Sequence, residues 1–275
     1  MTDRLPIRKT YKLFIGGSFV RSESGRYDRI EGEPAAVNIP RASRKDVRDA
    51  VAAARKASAG WAGRTAYNRG QILYRFAEAL ESRAADIGAE RDDVEASIDV
   101  LVHYAGWTDK LQPVLGGINP VAAPFLSFSV PEPTGVVGVV APDAPPLLGL
   151  VAELAPALAA GNTVVAVLCG ERPLPGLDLG EVMGIADVPG GVGNLLSGRR
   201  AELAPALAGH HALNAIVDAS GDPGLATEID KLAAESVTRV RHATAAATYA
   251  EATADPLSRL EALTELKTAW HPVGA

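Results

Sequence analysis

The spacing of hydrophobic and polar residues changes along the chain, and each change predicts a change of element. "KLFIGGSFVRS" sets Gly16-Gly17 between two short apolar stretches, which predicts a β-hairpin. Ser43 and Asp46 form a capping-box pattern, and Val47, Val51 and Ala54 fall on one face of the helix it opens. Ile72, Phe76 and Leu80 recur at helical spacing in a second segment, and Val94, Ile98, Leu101 and Ala105 in a third. These helices are amphipathic, with Glu78, Glu81 and Arg83 on the solvated side.

From Pro133 the pattern becomes continuously apolar. "TGVVGVVAP" is a β-branched run of the kind found in a parallel strand covered on both faces. The octet "AELAPALA" occurs at Ala152–Ala159 and again at Ala201–Ala208. The first copy leads through Gly161 into "NTVVAVL", the second through Gly209 into "LNAIVDAS". Two helix-glycine-strand units predict a doubly wound α/β sheet. The sequences around the octets do not match, so the repeat reads as two similar packing solutions. Beyond an alanine-rich stretch, a helix is expected around Leu257–Leu266, then an extended "KTAWHPVG". "PFLSFSVPEP" (Pro124–Pro133) is the candidate strand partner for that ending.

The resulting fold class is α/β: a Rossmann-like parallel sheet with flanking helices, an N-terminal helical and hairpin portion, and a β-arm. The portions are 11–123, the arm 124–132 with 266–274, and the Rossmann-like domain 133–245, in one compact unit. The 275 residues suffice for a large core. A net charge of -6 and a pI near 5.5 argue against a nucleic-acid partner, which calls for a basic face. The longest uncharged run, Leu154–Gly170, is interrupted by Pro156 and Gly161-Asn162 and reads as helix, turn and strand, not a membrane span. No secretory signal is visible at the N-terminus. The single cysteine, Cys169, excludes an internal disulfide and suits a reducing, cytoplasmic setting.

Candidate chemistry is sparse. His103, His210, His211, His242 and His271 show no metal-ligand spacing. The glycine-rich "PGGVGNLLSG" (Pro189–Gly198) lacks the third glycine of a dinucleotide fingerprint. Cys169 has no histidine near it in sequence and reads as a small apolar residue ending a buried strand rather than a nucleophile. Asp143-Ala144-Pro145-Pro146 stands between apolar runs, reads as buried, and lies where an α/β protein keeps its chemistry. Neither alanine nor proline can attack, donate from a side chain or bind a metal.

"KLFIGGSFV", Gly60-Trp61, "YAGWTDKL" (Tyr104–Leu111), "PTGVVGVVAP", "LAPALAAGNTVV", "VPGGVGNLLSG" and "SGDPG" together resemble the N-terminal, NAD-binding half of the aldehyde dehydrogenases, in the same order, over roughly Lys12–Arg241. In that family a cysteine thiolate attacks the aldehyde, and an asparagine side chain with a backbone N–H holds the oxyanion. Hydride passes to NAD(P), and a glutamate activates the releasing water. The resemblance puts Ala144 at the asparagine of the family's Trp-Asn-Phe-Pro loop. It puts Val167-Leu168-Cys169-Gly170 at the ribose-gripping Lys-Pro-Ala-Glu motif, and Val217-Asp218-Ala219-Ser220 at the Phe-Thr-Gly-Ser turn. Ser220 is then the remnant of the cofactor site, while Asp218 adds negative charge where a diphosphate would lie. The Glu-Leu-Gly-Gly segment is missing after "ESVTRVRHA", and the sequence stops before the half that holds the catalytic cysteine.

A narrower resemblance, to the degenerate second region of family-16 aldehyde dehydrogenases, rests on Pro142–Gly149 and the ending Lys267–Gly274. It implies a non-catalytic subunit that binds and stabilises a catalytic aldehyde dehydrogenase, with no cofactor and no metal. Its arm, bearing Phe125, Leu126, Phe128 and Trp270, would carry the contact to that partner or to another copy of the chain. For Trp270 the alternative is a core residue. The rival functions are a residual NAD or metabolite sensor and a truncated oxidoreductase.

Overall fold

A computed structural model describes residues 9–30, 36–168 and 170–273. Cys169, and Gly274 of the terminal pattern, lie outside the described residues.

The chain opens with β1 (Leu13–Ile15) and β2 (Ser18–Val20), joined through Gly16 and Gly17, whose φ values of 64° and 81° suit glycine. A pair of short strands follows, β3 (Tyr27–Ile30) and β4 (Val37–Pro40), and then α1 (Arg44–Ala62). The capping box is formed: the Ser43 hydroxyl accepts from the amides of Lys45 and Asp46, and the Asp46 carboxylate accepts from the Ser43 amide. Next come α2 (Ala66–Ser82), α3 (Arg91–Ala105) and the short α4 (Leu111–Leu115). Ile72, Phe76 and Leu80 are buried on α2, and Val94 and Leu101 on α3, as their spacing predicts. β5 (Gly117–Asn119) and the long β6 (Phe125–Pro133) begin the arm.

The remaining units wind the sheet: β7 (Val136–Val140), α5 (Leu148–Ala159), β8 (Thr163–Val167), α6 (Leu174–Ile185), β9 (Gly193–Leu196), α7 (Arg200–Ala208), β10 (Ala215–Asp218), α8 (Pro223–Ser236) and β11 (Arg239–His242). Two short helices, α9 (Tyr249–Thr253) and α10 (Pro256–Glu261), lead to β12 (Thr264–Pro272). The main sheet has the order β11-β10-β7-β8-β9-β1-β2. Its strands from β11 to β9 are parallel, while β1 joins β9 antiparallel through Phe14 and Leu195. The sheet is therefore mixed.

Alternate strand residues feed two cores. Val137, Val139 and Val164 face α2, α3, α5 and α6, while Val136, Val140, Val165 and Val167 face α1, α7 and α8. Every residue of α5 is buried, so it is apolar all round apart from Glu153. The glycine-rich Pro189–Gly198 stretch has a packing role. A Cβ on Gly17 would lie 2.7 Å from the Gly190 Cα, so the β1–β2 turn and this loop meet backbone to backbone.

The C-terminal expectation needs one correction. The helix ends at Glu261, and Leu266 belongs to a strand. Pairing is the reason: β12 matches β6 from Thr264 opposite Pro133 to Pro272 opposite Phe125, and this nine-residue ladder supersedes another helical turn. The arm sheet has the order β12-β6-β5.

Candidate functional site

In a doubly wound sheet, ligands sit beyond the carboxyl ends of the strands where the winding reverses. Here the chain runs from β7 through β8 to β9, then crosses to β10 on the other side of β7. The carboxyl edge at that switch carries the β7–α5 loop and the β10–α8 loop, and the start of α7 lies beside the first of them.

The β7–α5 loop corrects its sequence reading. Of Asp143-Ala144-Pro145-Pro146, Asp143 and Ala144 are exposed, Pro145 is half-buried and Pro146 alone is buried. The loop is tied down from α7 instead. Arg200, at the start of α7, donates to both Asp143 oxygens at 2.6 and 3.1 Å and to the Ala141 carbonyl at 2.9 Å. Such bidentate pairing fixes orientation as well as distance. From the other side, α5 has no cap of its own. Its first amides, Leu147 and Leu148, donate at 3.2 and 2.6 Å to the carboxylate of Asp93, which reaches over from α3. Burial raises the Asp93 pKa above the usual carboxylate value, and the two amides partly offset this.

The β10–α8 loop is saturated in the same way. Asp218 is buried, and its Oδ1 accepts from the Ser220 amide at 3.0 Å. Ser220 Oγ accepts from the Asp222 amide at 3.2 Å. Asp222 caps α8, accepting from the amides of Gly224 and Leu225. His242, at the end of β11, stands between two carboxylates, with Nδ1 3.4 Å from Asp218 and Nε2 3.0 Å from Asp230. The Ser220 and Asp222 amides are thus bonded to side chains of the loop itself.

The sequence candidates fall in two places. Ala144, Val167, Leu168, Gly170, Asp218 and Ser220 occupy strand ends and loops along the carboxyl edge of the main sheet. Phe125, Leu126, Phe128 and Trp270 lie apart from it, on the arm. Register sets Phe125 and Trp270 on one face of the arm, where their rings meet edge to face at 6.0 Å. Leu126 and Phe128 share the other face. Trp270 is 59 % exposed, so it is not a core residue within the chain. Asp93 and Arg200 carry no site signal in the sequence, and His242 reads there only as a histidine without metal-ligand spacing. "RDD" at a helix start reads as ordinary first-turn acid, and Arg200 meets Asp143 only because α7 and the β7–α5 loop converge on one edge. Among the described residues there is no group of His, Cys, Asp and Glu arranged to hold a metal, and no helix long and apolar enough to cross a membrane.

Residues 19–250 match the aldehyde dehydrogenase family. The chain is 36% identical to the cytosolic 10-formyltetrahydrofolate dehydrogenase of Mus musculus over 227 residues, which are 75% of this chain and 25% of that protein. It is 34% identical to retinal dehydrogenase 2 of Gallus gallus, over 86% of this chain and 48% of the relative. Among solved structures, PnpE from Pseudomonas sp. WBC-3 superposes with a TM-score of 0.80 at 27% identity, over 86% of this chain and 51% of PnpE. An NAD+ complex of an aldehyde dehydrogenase from Bacillus cereus gives 0.78 at 28% identity, over 85% and 50%. The chain thus spans about half the length of relatives such as these, or less. With the mixed, mostly parallel sheet and its switch point in place, and with residues 19–250 matched, the chain belongs to the aldehyde dehydrogenase family.

Proposed function

We propose that this chain is a non-catalytic member of the family that binds and stabilises a catalytic, NAD-dependent aldehyde dehydrogenase in the cytoplasm. The observation that carries this reading is the set of bonds that tie down the two loops of this edge. Arg200 ties down the loop on which Ala144 replaces an oxyanion-holding asparagine, and the buried Asp218 takes the Ser220 amide. An oxyanion hole acts through donors held free for developing charge, and such donors are worth several kcal/mol only when unspent.

The same residues do not fit the family's dinucleotide. Its diphosphate would approach the buried carboxylate of Asp218, and an unpaired anion meeting a fixed one in a desolvated setting is costly. Val167, Leu168 and Gly170 offer no side-chain hydrogen-bonding group to ribose hydroxyls. Ser220 keeps a hydroxyl there, engaged with Asp222. No chemical step is therefore assigned to NAD in this chain. The contact with the catalytic subunit is assigned to the arm, whose apolar residues Phe125, Leu126 and Phe128 lie close together on an extended strand. The likeness to the degenerate second region of family-16 enzymes supports the same role.

Calorimetry with NAD and NADP, together with affinity capture from the native cells, tests the proposal. Heats indistinguishable from dilution, with a full-length aldehyde dehydrogenase among the captured proteins, are expected. A dissociation constant near micromolar, about -8 kcal/mol, would overturn it in favour of a nucleotide sensor.

A further inference from the structure

The two chain segments that enter the arm meet at one histidine. The turn after α3 carries Trp107 and leads through α4 into β5, and α9 carries Tyr249 and leads through α10 into β12. His103, in the last turn of α3, lies against both. The Trp107 indole Nε1 donates to His103 Nε2 at 3.1 Å, with the two rings centred 6.5 Å apart. The Tyr249 ring stands edge to face with the imidazole at 6.2 Å, and the buried Tyr104 ring does so at 5.1 Å. An indole nitrogen can only donate, so Nε2 must offer its lone pair and the imidazole must be neutral, with its hydrogen on Nδ1. A proton on Nε2 would set two donors against each other, and the bond would be lost.

We propose that His103 is a pH-operated latch: neutral, it holds the Trp107 turn beside α9, and protonated, it releases that turn. The charges around the ring set which form prevails. On its own segment Asp99 lies one helical turn earlier, and Asp109 and Lys110 follow in the turn. From α9 comes Glu251, whose carboxylate accepts from the Ala247 amide. From α2 comes Arg75, which is paired with Asp187. From α5 comes Glu153, enclosed by Arg259 and Arg241. The carbonyl end of a helix favours a cation. Lys110 already serves that end of α3, where its ammonium donates to the Gly106 carbonyl. Burial, and after it the charge of Lys110, holds the His103 pKa below the ordinary 6.5.

A depressed pKa fixes the direction of the response. The folded chain binds this proton less readily than the unfolded one. The latch therefore contributes its full stability above pH 6.5 and loses it as pH falls through the lowered native value. Loss of the Trp107 bond frees one root of the arm only. The other root stays anchored, because the Tyr104 hydroxyl still donates to the Ala252 carbonyl of α9 and Ala252 remains buried. The change is thus local: residues 107–110 loosen while α9 and the two cores stay in place.

Proton–nitrogen NMR of the full chain between about pH 8 and 5, read at the indole N–H groups, tests the latch. The Trp107 signal is the one missing from Trp107→Phe. It should shift as pH falls, with a midpoint below 6.5. Trp61 supplies the internal control and should stay still, because its indole donates to the Leu158 carbonyl at 3.2 Å. His103→Gln offers an acceptor that does not titrate, so it should remove the transition and leave the melting curve at neutral pH close to that of wild type. Lys110→Gln should raise the midpoint toward 6.5, because it removes the like charge. A Trp107 signal indifferent to pH, a midpoint at or above 6.5, or a transition that persists in His103→Gln would each overturn the proposal.

Discussion

Asp93 lies in the first turn of α3 but serves α5. Its carboxylate is the acceptor for two buried amides that α5 cannot satisfy from its own sequence, because the preceding residues are proline and leucine. Asp93→Ala should therefore cost about 1–3 kcal/mol, the usual penalty for buried donors left without acceptors. Asp93→Asn keeps an acceptor and should cost less. The pH dependence has a definite sign. Burial raises the native pKa of Asp93 above 3.8, so the folded state holds this proton more tightly than the unfolded one. Its contribution to stability is then most favourable at low pH and declines as pH rises from about 3.8 through the raised native value. Urea unfolding across that range should show the cost of Asp93→Asn relative to wild type shrinking as pH rises. A difference independent of pH would show that Asp93 is not the titrating group.

The C-terminal elements close one side of the molecule. α9 packs on α3, where the Tyr104 hydroxyl donates to the Ala252 carbonyl at 3.2 Å and burial pushes the Tyr104 pKa up to about 12. α10 packs on α5 through Arg259, which donates to the buried Glu153 carboxylate and to the Ala152 carbonyl. Arg241 of β11 holds the second Glu153 oxygen at 2.6 Å. Glu153 is the one charged residue of an otherwise apolar, wholly buried helix, so its charge depends on these two guanidinium groups. Arg259→Ala should destabilise the chain by about 3–5 kcal/mol, the range for breaking a buried ion pair from one side. The measurement is chemical denaturation. A loss below about 1 kcal/mol would mean that Arg241 alone neutralises Glu153 and that Arg259 behaves as an exposed ion pair.

Over the whole molecule, the two apolar cores lie on opposite faces of one sheet, and Ala246, Ala252, Leu260 and Leu263 of the C-terminal elements are buried in the first of them. The purified chain should consequently unfold in one transition, with far-UV circular dichroism and tryptophan fluorescence coincident, since Trp61 lies in that same core. A separate early transition would make α9 to β12 an independent unit. Much of this architecture was written in local pattern. The capping box at Ser43, the Gly16-Gly17 hairpin, the apolar run of β7 and the two helix-glycine-strand units each state a local preference that the fold also satisfies. The positions of Ala144, Asp218 and Ser220 were legible too, because ordered motifs fix loop positions relative to strands. Other features had no local signal. The end of α10 at Glu261 was set by a ladder with a strand 131 residues away in sequence, as Thr264 and Pro133 show. Asp93 on Leu148, Arg200 on Asp143 and His242 between Asp218 and Asp230 join residues from different elements. The sequence alone determined which segments are helix or strand and which loops lie on the carboxyl edge of the sheet, because periodicity and turn chemistry act between near neighbours. Only the tertiary structure decided which charges meet at that edge and which rings gather at His103, because both depend on how distant segments come together.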